Sequence, residues 1–288
     1  MSKIKVSLIL PIPHDACSIY RGLGPYMRLP IEYKVFDGGV GFALWEAVMF
    51  GDIIVMQRPC AEQMVSIAQV IKGVGKKLIV DWDDNLSVLP EWNPNVRHFD
   101  NCLPHLQNLA KLADAVTVSS QELVKKATEW GAKRVEFVPN AIDDSFKLLP
   151  KRPQSNRIIW RGGLTHQEDL NIAKDHIINL SKNHEIIFMG DKPSWANEVH
   201  NHKVVKLVDY VNYIMLLNNL APKTMLVPLV DCPFNVARSD VAAQEAYLVG
   251  ADVWHNNVGS YKDLPAKGTP RWLSEVNGVR MQLLEDLA

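Results

Sequence analysis

Short apolar runs bounded by polar or turn-forming residues recur along this chain, and they alternate with stretches whose apolar positions step by three and four. In the first half, strand-like runs fall at residues 5–10, 52–56, 77–81, 115–119 and 135–139. Helical periodicity occupies 61–72, 100–113 and 120–130, where Ser119 or Ser120 is a candidate cap and Glu122 stands in the first turn. The rhythm resumes with strands at 157–160, 185–189, 204–208, 224–229 and 252–255 and helices at 167–181, 210–219 and 236–248. Strands that are apolar throughout and separated by helices predict parallel sheets covered on both faces. Between the two series lies Leu149-Pro-Lys-Arg-Pro-Gln-Ser-Asn156, a polar, proline-containing linker. The expected α/β fold therefore has two doubly wound domains, residues 1–150 and 151–288, facing a central cleft.

Composition fits that picture. At 288 residues with 47% hydrophobic content, the chain can bury two modest cores. Its formal charge is −1, and residues 1–154 carry 18 Lys and Arg against 17 Asp and Glu, so neither half is a polyelectrolyte and nucleic acid is not indicated as a direct partner. Lys125, Lys126, Lys133 and Arg134 are read as a solvated helix and turn. Cys17, Cys60, Cys102 and Cys232 are widely spaced, with no Cys-x-x-Cys pair to suggest zinc or redox work. The opening residues are too briefly apolar for a signal sequence and nothing later approaches a membrane span, so a cytoplasmic protein is expected.

The strongest chemical signal is Val227-Pro-Leu-Val-Asp-Cys-Pro-Phe-Asn235-Val-Ala-Arg238-Ser239-Asp240, followed by Glu245-Ala-Tyr-Leu-Val-Gly250. A buried strand runs into a polar loop and then a helix expected to carry Arg238 and Ser239 in its first turn. Unpaired N–H groups at a helix start attract a diphosphate, and Arg238 and Ser239 add donors there. Glu245, farther along, suits the paired hydroxyls of a ribose.

This run resembles the nucleotide-sugar site of GT-B glycosyltransferases of the retaining type known as group one or family four. Members commonly show Phe-Asn-x-x-Lys-Ser-Asn there, then a Glu on the same helix before a Gly. Arg238 replaces the usual Lys, Asp240 the usual Asn, and Ala237 stands where many relatives have an earlier Glu. The resemblance continues in order through Val116-Thr-Val-Ser-Ser-Gln-Glu122, Val138-Pro-Asn-Ala-Ile-Asp143, Ile159-Trp-Arg-Gly-Gly-Leu-Thr-His166 and Val208-Asp-Tyr210. It implies a GT-B fold of two Rossmann-like domains, acceptor-side first and donor-side second. It also implies retention of anomeric configuration at the transferred sugar.

Around that frame, Gly162 and Gly163 after a strand let backbone N–H groups approach an anion, with Arg161 as counter-charge and His166 as a phosphate contact or helix cap. By similarity, the turn at Gly190 lies near the base, and Asn235 and Ser239 border the donor. Arg161 and Arg238 are expected to share the diphosphate and, with Glu245, to form the catalytic set; the bland alternative for Arg161 is a surface pair with Asp169. His14, Ser18 and Arg21 follow the first strand and, with Asp81, Asp83 and Asp84, are candidates for the acceptor side.

Asp81-Trp-Asp83 also matches the metal-binding signature of the GT-A fold, which would make the enzyme metal-dependent. Because the phosphate features lie in the other half, no metal and no further cofactor are expected. The expected function is transfer of a sugar from a nucleotide-diphosphate donor to the hydroxyl of a glycan, lipid-linked glycan, protein or modified nucleic acid. A catalytically silent nucleotide-sugar binder or scaffold is the other alternative.

Overall fold

The computed structural model describes residues 3–13, 15–39, 41–206 and 208–288. A six-stranded sheet contains β1 (Lys5–Leu10), β2 (Glu32–Asp37), β3 (Ile53–Gln57), β4 (Lys77–Trp82), β5 (Ala115–Val118) and β6 (Val135–Phe137), in the order β2-β1-β3-β4-β5-β6. A five-stranded sheet contains β7 (Arg157–Gly162), β8 (Glu185–Gly190), β9 (His202–Val205), β10 (Thr224–Val227) and β11 (Asp252–His255), in the order β11-β10-β7-β8-β9. Every strand pair is parallel. β3 is buried at all five positions and β4 at five of six, which is why their sequences read as continuous apolar runs.

Each sheet has a core on both faces. In the first, Trp82 meets Trp130 edge-on at 5.2 Å within a cluster that includes Leu78, Val80, Leu106 and Leu123, while Val6, Leu8 and Ile79 pack on the opposite side. The second sheet sets Ile159, Ile187 and Ala246 in one cluster against Ile158, Phe188 and Trp195 in the other.

Topology determines where loops converge. In the first sheet the chain builds β2 on one side of β1 and then β3 on the other; in the second, β8 and β9 lie on one side of β7 and β10 on the other. At such reversals the loops leaving neighbouring carboxyl ends diverge and leave a crevice. The segments after β7 and β10 border one, and those after β1 and β3 the other.

Two helices depart from the periodicity. The span 167–181 divides into Gln167–Asn171 and Lys174–Leu180, and 236–248 divides into Pro233–Val236 and Val241–Leu248. In the second break, the carbonyls of Ala237 and Arg238 accept from the Ser120 and Ser260 hydroxyls. Arg238 and Ser239 thus sit in the break before the helix, not within its first turn.

The final helix, Leu273–Leu287, returns to the first sheet, where Leu283 and Leu284 join the cluster of Val6 and Leu8 and Asn277 donates to the Pro25 carbonyl at 2.9 Å. Residues 273–287 therefore follow the second sheet in sequence but pack with the first. At the junction, Ile142 N–H donates to the Arg271 carbonyl and Leu273 N–H to the Ile142 carbonyl, both at 2.8 Å, forming a short parallel bridge.

Candidate donor and acceptor site

A cavity of about 140 Å3 opens between the halves, walled by Ala16, Cys17, Asp83 and Asp84 on one side and by Arg161, His166, Arg238, Ser239 and Glu245 on the other. A neighbouring cavity of about 360 Å3 is lined by Gly162, Gly163, Thr165, Asp209 and Tyr213, and shares Arg161, His166 and Glu245 with the first. The topology brings these residues together: Arg161 is the penultimate residue of β7 and Arg238 follows β10, its hydrogen-bonded neighbour.

Glu245 lies at the shared wall and is 2% exposed. Its Oε2 accepts from Arg161 Nε at 2.9 Å and from the Tyr213 hydroxyl at 2.7 Å, while Oε1 accepts from the Tyr20 hydroxyl at 2.8 Å. Burial and the adjacent carboxylate push the phenols of Tyr20 and Tyr213 well above their usual range, so both remain donors. Burial opposes the charge on Arg161, but Glu245 holds it protonated. The partner of Arg161 is thus Glu245, and Asp169 is engaged elsewhere.

Asp169, buried at 2% exposure, organises the adjoining loops. Oδ1 accepts from Val230 N–H at 2.8 Å and Asn235 Nδ2 at 2.7 Å, and Oδ2 lies 2.9 Å from His166 Nδ1. Arg238 Nη1 is 2.9 Å from His166 Nδ1 and 3.0 Å from His166 Nε2. Burial, reinforced by Arg238, pushes the His166 pKa down. A neutral imidazole with its proton on Nδ1 donates to Asp169, while the Arg238 guanidinium lies against both ring nitrogens. Asn235 is therefore a brace of the loop, bonded also to the Val230 carbonyl at 2.9 Å.

The glycines have different reasons. A Cβ on Gly162 would stand 2.6 Å from the Trp160 ring, whereas one on Gly163 would meet only Asp191 Oδ2, at 3.5 Å. Gly190 has φ 114°, the left-handed region that favours glycine, and pairs with Gly162 across β7 and β8.

Ser239 accepts at its hydroxyl from Asn140 Nδ2 at 2.9 Å, and Asp240 binds Arg271 through both oxygens at 3.1 and 2.9 Å. Arg271 also donates to the Asn140 carbonyl at 2.8 Å, so the segment following β6 is tied to the helix that carries Glu245. Ala237 is fully buried and belongs to the core cluster of the first sheet.

Of the residues expected on the acceptor side, His14 lies outside the described residues. Ser18, Arg21 and Asp81 are interior: Ser18 donates to Gln57 Oε1 at 2.9 Å, and Arg21 meets Asp81 through Nε at 3.0 Å and Nη2 at 2.6 Å. Thr117 donates to the same carboxylate at 2.6 Å, and Arg21 also contacts the Val138 carbonyl. Asp83 and Asp84 do face the cavity, paired with Arg58 at 3.0 and 2.6 Å. Burial raises the Asp83 pKa against the pull of Arg58. Among the described residues, no group of three or more His, Cys, Asp or Glu is arranged to hold a metal ion.

Sequence reasoning missed Tyr20, Arg58, Asn140, Tyr213 and Arg271. Tyr213 had a local signal, three residues into a helix capped by Asp209, whose side chain accepts from Asn212 N–H at 3.1 Å. The others act across separations that no local pattern encodes. In the basic cluster, Lys125 pairs with Glu122, Lys126 with Glu129, and Arg134 with Glu136 and Asp286. Among the described residues, no helix is long and apolar enough to cross a membrane.

No protein-family profile and no curated protein sequence matches the chain. Solved structures do. A sucrose-phosphate synthase from Thermosynechococcus elongatus superposes with a TM-score of 0.63 at 14% identity, covering 99% of this chain and 90% of its own. HepE of Anabaena, solved in complex with UDP, superposes at 0.58 with 15% identity and the same two coverages. The chain has the GT-B fold across nearly its whole length.

Proposed function

We propose that this protein is a glycosyltransferase that moves a sugar from a nucleotide-diphosphate donor to an acceptor hydroxyl, with retention and without a metal ion. The observation that carries this reading is the convergence of Arg161, His166, Arg238, Ser239 and Glu245 on one inter-domain cavity, at the carboxyl ends of two neighbouring strands. In that arrangement Arg161 and Arg238 oppose the charge that grows on the departing diphosphate, and Glu245 receives sugar hydroxyls of the nucleotide. Cavity-facing Asp83 and Asp84 are left to orient the acceptor. Metal independence draws support from occupied carboxylates, because Asp81 is held by Arg21 and both Asp83 and Asp84 by Arg58.

Of the two structures the chain superposes on, one is a sucrose-phosphate synthase and the other was solved in complex with UDP, which supports the reading. A thermal-shift screen against nucleotide sugars tests donor binding, since ligand at a hundredfold excess over Kd adds about 2.7 kcal/mol to the folded state. Release of nucleoside diphosphate in excess EDTA then tests turnover, and NMR of the product anomer tests retention. A chain that binds no nucleotide sugar contradicts the reading, and activity abolished by EDTA and restored by manganese favours a metal-dependent route.

One observation favours a second reading. Ala237 is packed into the core of the first half at the position where relatives carry a Glu, as suits a protein that binds the donor without turning it over. Donor binding with no diphosphate release would select it.

A further inference from the structure

Tyr20 belongs to the first half by sequence and to the second by packing. Its ring is 7% exposed, is part of the second sheet's core cluster and meets Tyr210 edge-on at 4.9 Å. It projects from a π-helical turn, Ile19–Leu23, a winding found mostly as short insertions and frequently at functional sites.

The acceptor positions of Glu245 divide by origin. A carboxylate offers about four lone-pair directions over its two oxygens. Arg161 and Tyr213, from the same half as Glu245, both address Oε2, whereas Oε1 receives Tyr20 from the opposite half. A ligand presenting two adjacent hydroxyls is best received by both oxygens, and in the free protein each already holds a phenol, Tyr213 of the same half on Oε2 and Tyr20 of the opposite half on Oε1. The space is divided as well. Tyr20 lines the cavity of about 140 Å3, well below the roughly 300 Å3 at which ligand pockets begin. The larger cavity of about 360 Å3 lies beyond the Arg161–Glu245 pair.

We infer that Tyr20 is a built-in stand-in for a donor hydroxyl: its O–H fills Oε1 of Glu245 in the free protein, and the incoming nucleotide takes that position by displacing it. The inference rests on the reading of Glu245 as the acceptor of nucleotide hydroxyls. Binding then exchanges one O–H···O⁻ bond for another instead of adding one, and the donor enters at the expense of a contact between the halves. The exchange couples occupancy to loosening of the first half from the second at this point.

Tyr20→Phe keeps the ring and its contact with Tyr210 but removes the competing donor. Calorimetric titration of UDP, ADP and GDP into the full chain compares wild type, Tyr20→Phe and Glu245→Gln. The expected result is nucleotide affinity about tenfold tighter in Tyr20→Phe and about tenfold weaker in Glu245→Gln. A residue that merely props the fold cannot produce the tightening, because trimming it loosens the site. If Glu245→Gln weakens binding while Tyr20→Phe leaves it unchanged or weaker, the displacement is overturned and the role of Glu245 stands. If Glu245→Gln binds like wild type, the reading of Glu245 falls and the inference falls with it.

Discussion

Asp169 fixes the state of His166. Its Oδ2 lies 2.9 Å from His166 Nδ1, and its own position is held by Val230 N–H and the Asn235 amide. Because burial and Arg238 depress the imidazole pKa, the unfolded chain takes up the proton more readily than the folded one just below pH 6.5. The contribution of His166 to stability is therefore complete above about pH 6.5 and is lost as the pH falls below that value. Urea unfolding of wild type and His166→Gln between about pH 6.5 and 5 should show the steeper loss in wild type. Parallel pH profiles would contradict this assignment.

Arg21 and Asp81 form an interior pair, with side-chain exposures of 0% and 4%. Arg21→Ala strands a buried carboxylate and should cost about 3–5 kcal/mol in denaturant unfolding. Replacing both, as Arg21→Met with Asp81→Leu, should recover most of that loss, since an apolar pair of similar volume carries no desolvation penalty. A loss below 1 kcal/mol for Arg21→Ala would return Arg21 to the list of acceptor residues.

Ala237→Glu restores the residue type common in relatives but inserts it into a packed apolar cluster. The new carboxylate would be buried among apolar side chains, so the variant should lose about 3 kcal/mol or more and gain no activity. Unchanged melting with improved turnover would mean that the halves separate at this point in the working enzyme.

Arg238 is held at His166, with its guanidinium carbon 5.9 Å from the centre of the Phe234 ring. As an opponent of diphosphate charge, its removal in Arg238→Ala should lower kcat by about a hundredfold while binding of the bare nucleoside changes little. Arg238→Lys should fall between the two. Equal losses in nucleoside affinity and rate would assign Arg238 to loop architecture instead.

The sequence exposed the buried strands clearly because parallel strands covered on both faces are apolar at every position, as in Ile53–Gln57. β2 gave no such signal. It is an edge strand carrying Glu32, Lys34 and Asp37, and only Phe36 among its six residues is buried. The helix Gly41–Phe50 was also hidden, because its largely apolar sequence has no polar face to reveal the period. Cavity residues in and near the motif, including Arg161, His166, Arg238 and Glu245, were legible from the motif and the resemblance around it. What those side chains hold was not. The hydrogen bond between Tyr20 and Glu245 spans 225 positions, and only packing of one half on the other brings them together.

The return of the last helix has a mechanical consequence. The polypeptide crosses between the halves twice, after β6 and again before Leu273, and the crossings are laid side by side at Ile142 and Trp272. A single tether lets two bodies swivel about any axis, whereas two tethers fastened together act like the paired leaves of a door hinge. Rotation of one half against the other is thereby more restricted than a single tether would leave it.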